Sequence, residues 1–209
     1  MVKKSNAAKE EILVESFDIL KENIEKHNRK MKDIIGKMSG INLDLAVEMW
    51  KYLLDNAQSL IKEDGYSFTG GVIHNIEEKA GLEKIIKILK ENEDILEACY
   101  GMSNDVHQYT ISDAIKFGEV ELADKMLELS KSNKHKDTSF AEILEEVCEY
   151  FVSNFEDIQT FDEDWEDRDE HDKKVAIASD GSSMLLKWVK TITDKEQKAR
   201  LNVTLIDYV

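Results

Sequence analysis

The sequence predicts an all-α protein built from stacked antiparallel helical hairpins, an irregular, α-solenoid-like single domain. The 209 residues include no proline, so little opposes long helices and little suggests a β-sandwich with proline-rich turns. Apolar residues recur at steps of three and four along most of the chain, which is the period of an amphipathic helix. A chain of this length can bury a core large enough to hold the fold without disulfides or metals.

The clearest helical pattern lies between Ser112 and Ser132, which reads as two short helices that meet at Phe117 and Gly118. In the second helix, apolar side chains occupy one face and charged side chains the other. The apolar face comprises Val120, Leu122, Ala123, Met126, Leu127 and Leu129. Such a face needs another helix to pack against, so we expect neighbouring hairpins.

This second helix has two similar stretches upstream. The three stretches begin at residues 43, 82 and 120, with spacings of 39 and 38 residues. A unit of that length holds two helices and a turn, as in helical-hairpin repeats. Residues 41–132 are therefore predicted to form repeat-like hairpins. Lys84 stands where the other two stretches have leucine, and an irregular helical domain is the alternative.

Residues 1–40 predict one long helix from about Ala8 to Met38, bent at an opening in the apolar face at His27 and Asn28. We expect Gly40 to end it in a left-handed cap. A positive patch on this helix is interpreted as a solvent-exposed face, with a site for an anion or an acidic partner as the alternative. The patch comprises Lys26, Arg29, Lys30 and Lys32.

Shorter helices and turns are predicted for the middle of the chain. The clearest loop is Glu63–Gly71, which lacks the Lys-Ser/Thr ending of a phosphate-binding loop. Trp50 flanks an apolar face and is expected in the core. The expected helices cover residues 44–62, 72–80, 82–91 and 93–100, and a connector covers residues 130–139.

The C-terminal helices are predicted within residues 133–209. A helical apolar stripe begins at Phe140 and runs to Trp165. We expect residues 173–178 to form a short extended or helical piece and Ser179–Ser183 to form a turn that opens the next helix. That last helix should place Trp188 in the core, and the apolar residues after it should dock rather than fray.

Cys99 and Cys148 lie on apolar helical faces without metal-ligand spacing, which predicts buried thiols rather than a disulfide. No stretch reaches the eighteen or so apolar residues that a membrane helix needs. The N-terminal residues meet Lys9 and Glu10 before any run of signal-peptide length. We therefore expect a cytoplasmic protein that does not bind membranes.

The charge is strongly acidic and unevenly spread. The formal net charge is −16, from 28 basic and 44 acidic residues, so we expect no direct contact with nucleic-acid phosphates. Residues 156–172 carry ten acidic residues and one basic residue, Arg168. This acidic segment also continues the apolar stripe through Ile158, so we expect it to fold onto the helical body or onto a partner.

Signatures of catalysis or metal binding are missing from the sequence. An EF-hand that began at Asp162 would need glycine where Asp167 stands and glutamate where Lys173 stands. There is no GxSxG, HExxH, paired CxxC, Rossmann or P-loop pattern. His107 beside Tyr109 is the one weak candidate for acid–base chemistry. We expect no cofactor, no metal and no enzymatic activity, and an unrecognised helical enzyme is an alternative.

The Leu-acid-Leu-Ala-x-x-Met pattern at intervals of 38 and 39 residues, over roughly residues 40–132, resembles the helical-hairpin repeat families of the tetratricopeptide and HEAT types. The tetratricopeptide Trp-Leu-Gly-Tyr-Ala-Phe-Pro set and the ankyrin Thr-Pro-Leu-His are missing, so no single family is indicated. The resemblance implies a curved stack of helices that binds a protein or peptide.

We therefore predict a non-enzymatic interaction module whose acidic face engages a basic protein, and an immunity or inhibitor protein is one form of that role. A DNA mimic that occupies a nucleic-acid-binding protein is the alternative. Two aromatic anchors inside a ring of carboxylates are expected to make the contact. These residues are Phe161, Asp162, Asp164, Trp165, Asp167 and Asp169.

Overall fold

The computed structural model describes residues 5–57, 68–103, 106–136, 138–160 and 168–209, without the side chains of residues 68, 159 and 160. All regular secondary structure in these ranges is helical, which confirms the all-α class. The solenoid-like stack of hairpins stays a prediction.

The α-helices are Asn6–Leu20 (α1), Ile24–Ser39 (α2), Leu43–Asn56 (α3), Phe68–Ala80 (α4), Leu82–Glu91 (α5), Glu93–Leu96 (α6), Gln108–Lys116 (α7), Val120–Ser132 (α8), Phe140–Phe155 (α9), Arg168–Val189 (α10) and Lys195–Ile206 (α11). A 3-10 turn, Lys21–Asn23, follows α1, a π-helical turn, Glu97–Met102, follows α6, and a second 3-10 turn, Glu156–Thr160, follows α9.

These helices form two compact units. The first comprises Met1–Val106 and Asn133–Asp137, and the second comprises His107–Ser132 and Thr138–Val209. The prediction that the chain is a single domain stays a prediction.

The three similar stretches each begin a helix at the predicted residue, since α3 starts at residue 43, α5 at residue 82 and α8 at residue 120. Local chemistry sets these starts. The Asn42 side chain accepts the Leu45 amide at 3.2 Å, which caps α3. Gly81 and Gly118 have φ of 91° and 77°, conformations that other residues rarely adopt, and each lies just before one of the other two helices. The predicted turn at Phe117 and Gly118 is therefore confirmed.

The predicted bend in the N-terminal helix is in the wrong place. The break falls at the turn Lys21–Asn23, and His27 lies inside α2. The Asn23 side chain accepts the Lys26 amide at 3.1 Å, and this cap starts a new helix. The helix ends at Ser39 as expected, but Gly40 has φ of −76°, so the left-handed cap was wrong.

The predicted turn at Ser179–Ser183 is also wrong, because α10 runs through it as one helix of 22 residues. Its small residues are packing positions. A Cβ on Gly181 would lie 2.3 Å from Ile115 Cγ2 and 3.0 Å from the Phe151 ring, so only glycine permits this close approach. The buried Ser182 hydroxyl donates to the Tyr208 carbonyl at 2.9 Å.

Other boundaries differ by a few residues. Helix α4 begins at Phe68, so the last residues of the predicted loop Glu63–Gly71 are helical, and residues 63–67 lie outside the described ranges. The described part of the predicted helix 44–62 is α3. The predicted connector starts later than expected, because α8 extends to Ser132.

The first unit is built around α2, which packs against α1, α3 and α4. Its core residues Met31 and Ile35 are fully buried, as is Trp50 of α3, which confirms the core assignment of that indole. A Cβ on Gly36 of α2 would lie 2.7 Å from Cβ and 2.8 Å from the carbonyl oxygen of Asn75 in α4. The two helices therefore cross with their backbones almost in contact.

The second unit is built around α9, which packs against α7, α10 and α11. Trp188 is buried as predicted, and its indole Nε1 donates to Asp124 Oδ1 of α8 at 2.6 Å. The Phe151 ring lies 5.3 Å from that of Tyr208, which docks the end of α11. Aromatic contacts and the hydrogen bonds of Trp188 and Ser182 thus help to hold this unit together.

We expect Gly36→Ala to destabilise the fold by roughly 1–3 kcal/mol, because the new methyl group meets the Asn75 backbone, which cannot move aside without separating the helices. The measurement is the free energy of unfolding in urea. Gly71→Ala on α4 is the matched control, since its Cβ would meet only the flexible end of Lys32, 3.0 Å from Nζ. Equal losses in the two variants would contradict the close-crossing explanation.

Candidate functional site

Five of the six predicted contact residues, Phe161 to Asp167 in chain order, lie outside the described residues. The sixth, Asp169, is exposed in the first turn of α10. A carboxylate is favourable there because the backbone amides at a helix start carry partial positive charge. The described parts of the acidic segment are thus the turn after α9 and the start of α10.

Helix α9 leads into the acidic segment. It starts with a capping box, in which Ser139 Oγ accepts the Glu142 amide at 3.3 Å and Glu142 accepts the Ser139 amide at 2.9 Å. The predicted apolar stripe is confirmed from Ile143 to Phe155, since its members between these residues are buried. Glu156 and Asp157 follow directly and are exposed. A helix anchored by its buried apolar face therefore holds these two carboxylates at the surface.

An ion pair ties this end of α9 to α10. The Lys174 ammonium donates to the Asp157 carboxylate, and this hydrogen bond lowers the pKa of Asp157. Asp169 lies five residues before Lys174, or about 7.5 Å along the helix. Five residues at 3.6 per turn also set Asp169 and Lys174 about 140° apart around the helix, so their side chains point to different sides of α10.

The end of α11 joins this region. Tyr208 is buried, and the pKa of its phenol is raised by that burial and by the negative charges of Asp207 and Glu156. The Phe151 ring packs against the Tyr208 ring, so the C-terminal part of α9, which Glu156 follows, lies near the residues after α11. We call Glu156, Asp157 and Asp207 the acidic corner.

Around Asp207 in the chain, three aliphatic side chains of α11 and of the residues after it face solvent. Val203, Ile206 and Val209 are 71%, 60% and 64% exposed. Val203 and Ile206 are three residues apart and share one face of the helix. We call these three residues the aliphatic patch.

The aliphatic patch corrects the expectation that the whole apolar end is docked. Leu201, Leu205 and Tyr208 are buried at helical spacing, while the patch lies out of step with them. That mismatch was readable in the sequence, because residues 203 and 206 do not fall on the face that 201, 205 and 208 define.

The acidic corner and the aliphatic patch suit contact with a cationic, partly apolar surface. Carboxylates accept charge-assisted hydrogen bonds from lysine and arginine, and exposed aliphatic groups gain by leaving water. Within the described ranges, no group of three or more histidine, cysteine or acidic side chains is placed to hold a metal ion.

The positive patch of α2 is largely solvent-exposed. Lys26, Arg29 and Lys30 face solvent, and the aliphatic stem of Lys32 lies over Gly71. This agrees with the predicted solvent-exposed face, because exposed lysines commonly lay their aliphatic stems over neighbouring residues.

His107 and Tyr109 form a local cluster rather than an open pair. The Tyr109 hydroxyl is hydrogen-bonded to His107 Nε2, and Thr110 Oγ1 lies 2.9 Å from His107 Nδ1. Tyr150 packs edge-on against Tyr109, with ring centroids 6.0 Å apart. Both imidazole nitrogens thus have hydrogen-bond partners within the chain.

The two cysteines are buried, as predicted. Burial raises the pKa of the Cys148 thiol to about 12, with Glu145 and Glu149 acting in the same direction, and burial also raises the pKa of Cys99. Since the thiolate is the reactive form, neither sulfur has the properties of a nucleophile.

No family model, curated protein or solved structure matches this chain. In the part of the chain that the structure describes, no helix has both the length and the apolar character required to span a bilayer.

We expect neither thiol to react with Ellman's reagent at pH 8 in the folded protein, and both to react in concentrated guanidinium chloride. The measurement is the absorbance of released thionitrobenzoate per mole of chain. Fast reaction of either thiol in the native state would show that one of the cysteines reaches solvent.

Proposed function

We propose that this chain is a non-enzymatic helical interaction module whose acidic surface binds a basic protein. The observation that carries this proposal is that exposed aliphatic side chains and an exposed carboxylate occur together in the second unit, where Asp207 directly follows Ile206. The finer picture, a curved stack of helical hairpins acting as an immunity or inhibitor protein, belongs to the same proposal.

Most carboxylates of the acidic corner and of the described acidic segment are not neutralised by an ion pair. Asp157 is paired with Lys174, whereas Glu156, Asp207 and Asp169 make no ion pair with any described residue. Unpaired surface charge of one sign attracts an oppositely charged protein and raises its association rate. The acidic segment 156–172 adds to this field through its composition.

The aliphatic patch supplies the part of the binding energy that charge does not. Fully burying a valine or isoleucine side chain stabilises a complex by roughly 1.5–3 kcal/mol. Apolar anchors within a charged rim are typical of protein interfaces. A partner with lysine or arginine around an apolar stripe, such as a basic amphipathic helix, fits both features.

The test uses a fluorescent amphipathic helical peptide of lysine and leucine as a model of the basic partner. We expect anisotropy titrations to show binding at low salt, and Glu156→Lys combined with Asp207→Lys to weaken it at least about tenfold, or 1.4 kcal/mol. Both side chains are exposed, so the folded state should persist.

The matched control is Glu48→Lys combined with Asp55→Lys, which changes the net charge equally at exposed positions of α3. Retained binding by this control supports the acidic corner as the contact. Equal loss in both variants would reduce the effect to net charge and contradict the proposal, as would a native protein that does not bind at low salt. Competition with duplex DNA for a captured partner tests the DNA-mimic alternative.

A further inference from the structure

Helix α1 is poorly buried for its composition. Phe17 is its only buried residue, and the apolar side chains around it remain partly or largely open. Ile12 is 41% exposed and Ile19 is 62% exposed. These two residues are seven positions apart, which is two helical turns, so they form a ridge along one side of α1.

One flank of this ridge is basic. Two cavities of about 370 and 440 Å³ lie along α1 and α2 and adjoin at Leu13 and Lys37. Their floor is apolar, and the described lysines that line them are Lys9, Lys30, Lys37 and Lys79. We call this feature the lysine groove.

The lysines of the groove are largely unneutralised. Lys9, Lys30 and Lys37 make no ion pair with any residue in the described ranges, and Lys79 pairs with Glu78. Asp33 is the acidic residue among those that line the groove. The lysine groove is thus a locally basic surface on the first unit of a protein whose net charge is −16.

The opposite flank of the ridge is acidic. Five carboxylates of α1 and the following turn surround a shallow hollow together with Ala7, Val14 and Ile19, and they are Glu10, Glu11, Glu15, Asp18 and Glu22. Of these five, Asp18 is paired with Lys21, and the other four make no ion pair with the described residues. We call this feature the acidic flank.

Ile19 lines both features, so the acidic flank and the lysine groove meet along the isoleucine ridge. The first unit therefore carries a surface and its electrostatic complement on the two sides of the isoleucine ridge of α1. A small anion would neutralise the lysines and leave the isoleucines and the acidic flank uncovered. A second copy of the chain covers all three.

We propose that two copies of this chain associate through α1, with the isoleucine ridges in contact and the two helices parallel. In a two-fold dimer with parallel helices, the acidic flank of each copy lies against the lysine groove of the other. Antiparallel helices placed ridge to ridge would set acidic flank against acidic flank. Charge complementarity thus selects both the partner and the orientation.

The first test is sedimentation equilibrium of the native chain over a range of concentrations. We expect a reversible monomer–dimer equilibrium, which Ile19→Asp shifts to monomer by placing a charge in the ridge. Val203→Asp is the matched control, because Val203 is an even more exposed aliphatic residue that lies outside α1. A native chain that stays monomeric, or an Ile19→Asp dimer as tight as the native one, overturns the proposal.

The second test uses two charge-reversed variants. One carries Lys30→Glu and Lys37→Glu, and the other carries Glu15→Lys and Glu22→Lys. Each variant alone places like charges at both contacts, so we expect each to be monomeric. An equimolar mixture restores opposite charges at both contacts and is expected to form a heterodimer. A mixture that remains monomeric, while each variant keeps its helical circular dichroism, contradicts the proposed pairing.

The orientation is tested by disulfide formation. With parallel helices each ridge residue meets its own copy, so Ile19→Cys alone should give a covalent dimer under mild oxidation. The native thiols are buried and do not compete. Crosslinking only in a mixture of Ile12→Cys and Ile19→Cys would indicate antiparallel helices and overturn the parallel arrangement.

Discussion

In each unit, two helices approach each other closely at a glycine of one of them. Gly36 lets α2 lie against the backbone of Asn75, and Gly181 lets α10 lie against Ile115 and Phe151. Close backbones allow the flanking apolar residues to interlock at the density of a protein interior. The crossings also decide which faces are left open. Helix α2 packs against α3 and α4 as well as α1. Helix α1 packs mainly against α2, and Phe17 is its only buried residue.

The starts of α3, α5 and α8 were predictable because the signals that set them are local. Asn42 caps α3 through its own side chain, and Gly81 and Gly118 supply backbone conformations that other residues rarely adopt. Ser179–Ser183 misled the prediction because glycine and serine are common in turns and also at tight helix contacts. The neighbours that decide between these roles are distant in sequence, as Ile115 and Tyr208 are from Gly181 and Ser182.

The acidic character of the candidate site followed from composition, but its apolar component did not. Periodicity identifies an apolar face without showing whether a neighbour covers it. In α11 the spacing separates Val203 and Ile206 from the face of Leu201, Leu205 and Tyr208, but it does not show which of the two faces a neighbour covers. The same holds for Ile12, which fitted the predicted apolar face of a long N-terminal helix. Which helix lacks a neighbour is a property of the packed unit.

The two proposed associations depend on opposite aspects of the same charge distribution. A basic partner is attracted by the net charge of −16 over distances of about a Debye length, roughly 8 Å at physiological ionic strength, before any specific contact forms. A second copy is repelled by that net charge. Self-association therefore needs opposite charges in direct contact and an apolar ridge between them, and α1 with the lysine groove is the described surface that offers both. The local segregation of Lys30 and Lys37 from Glu15 and Glu22 is what makes attraction possible between two acidic molecules.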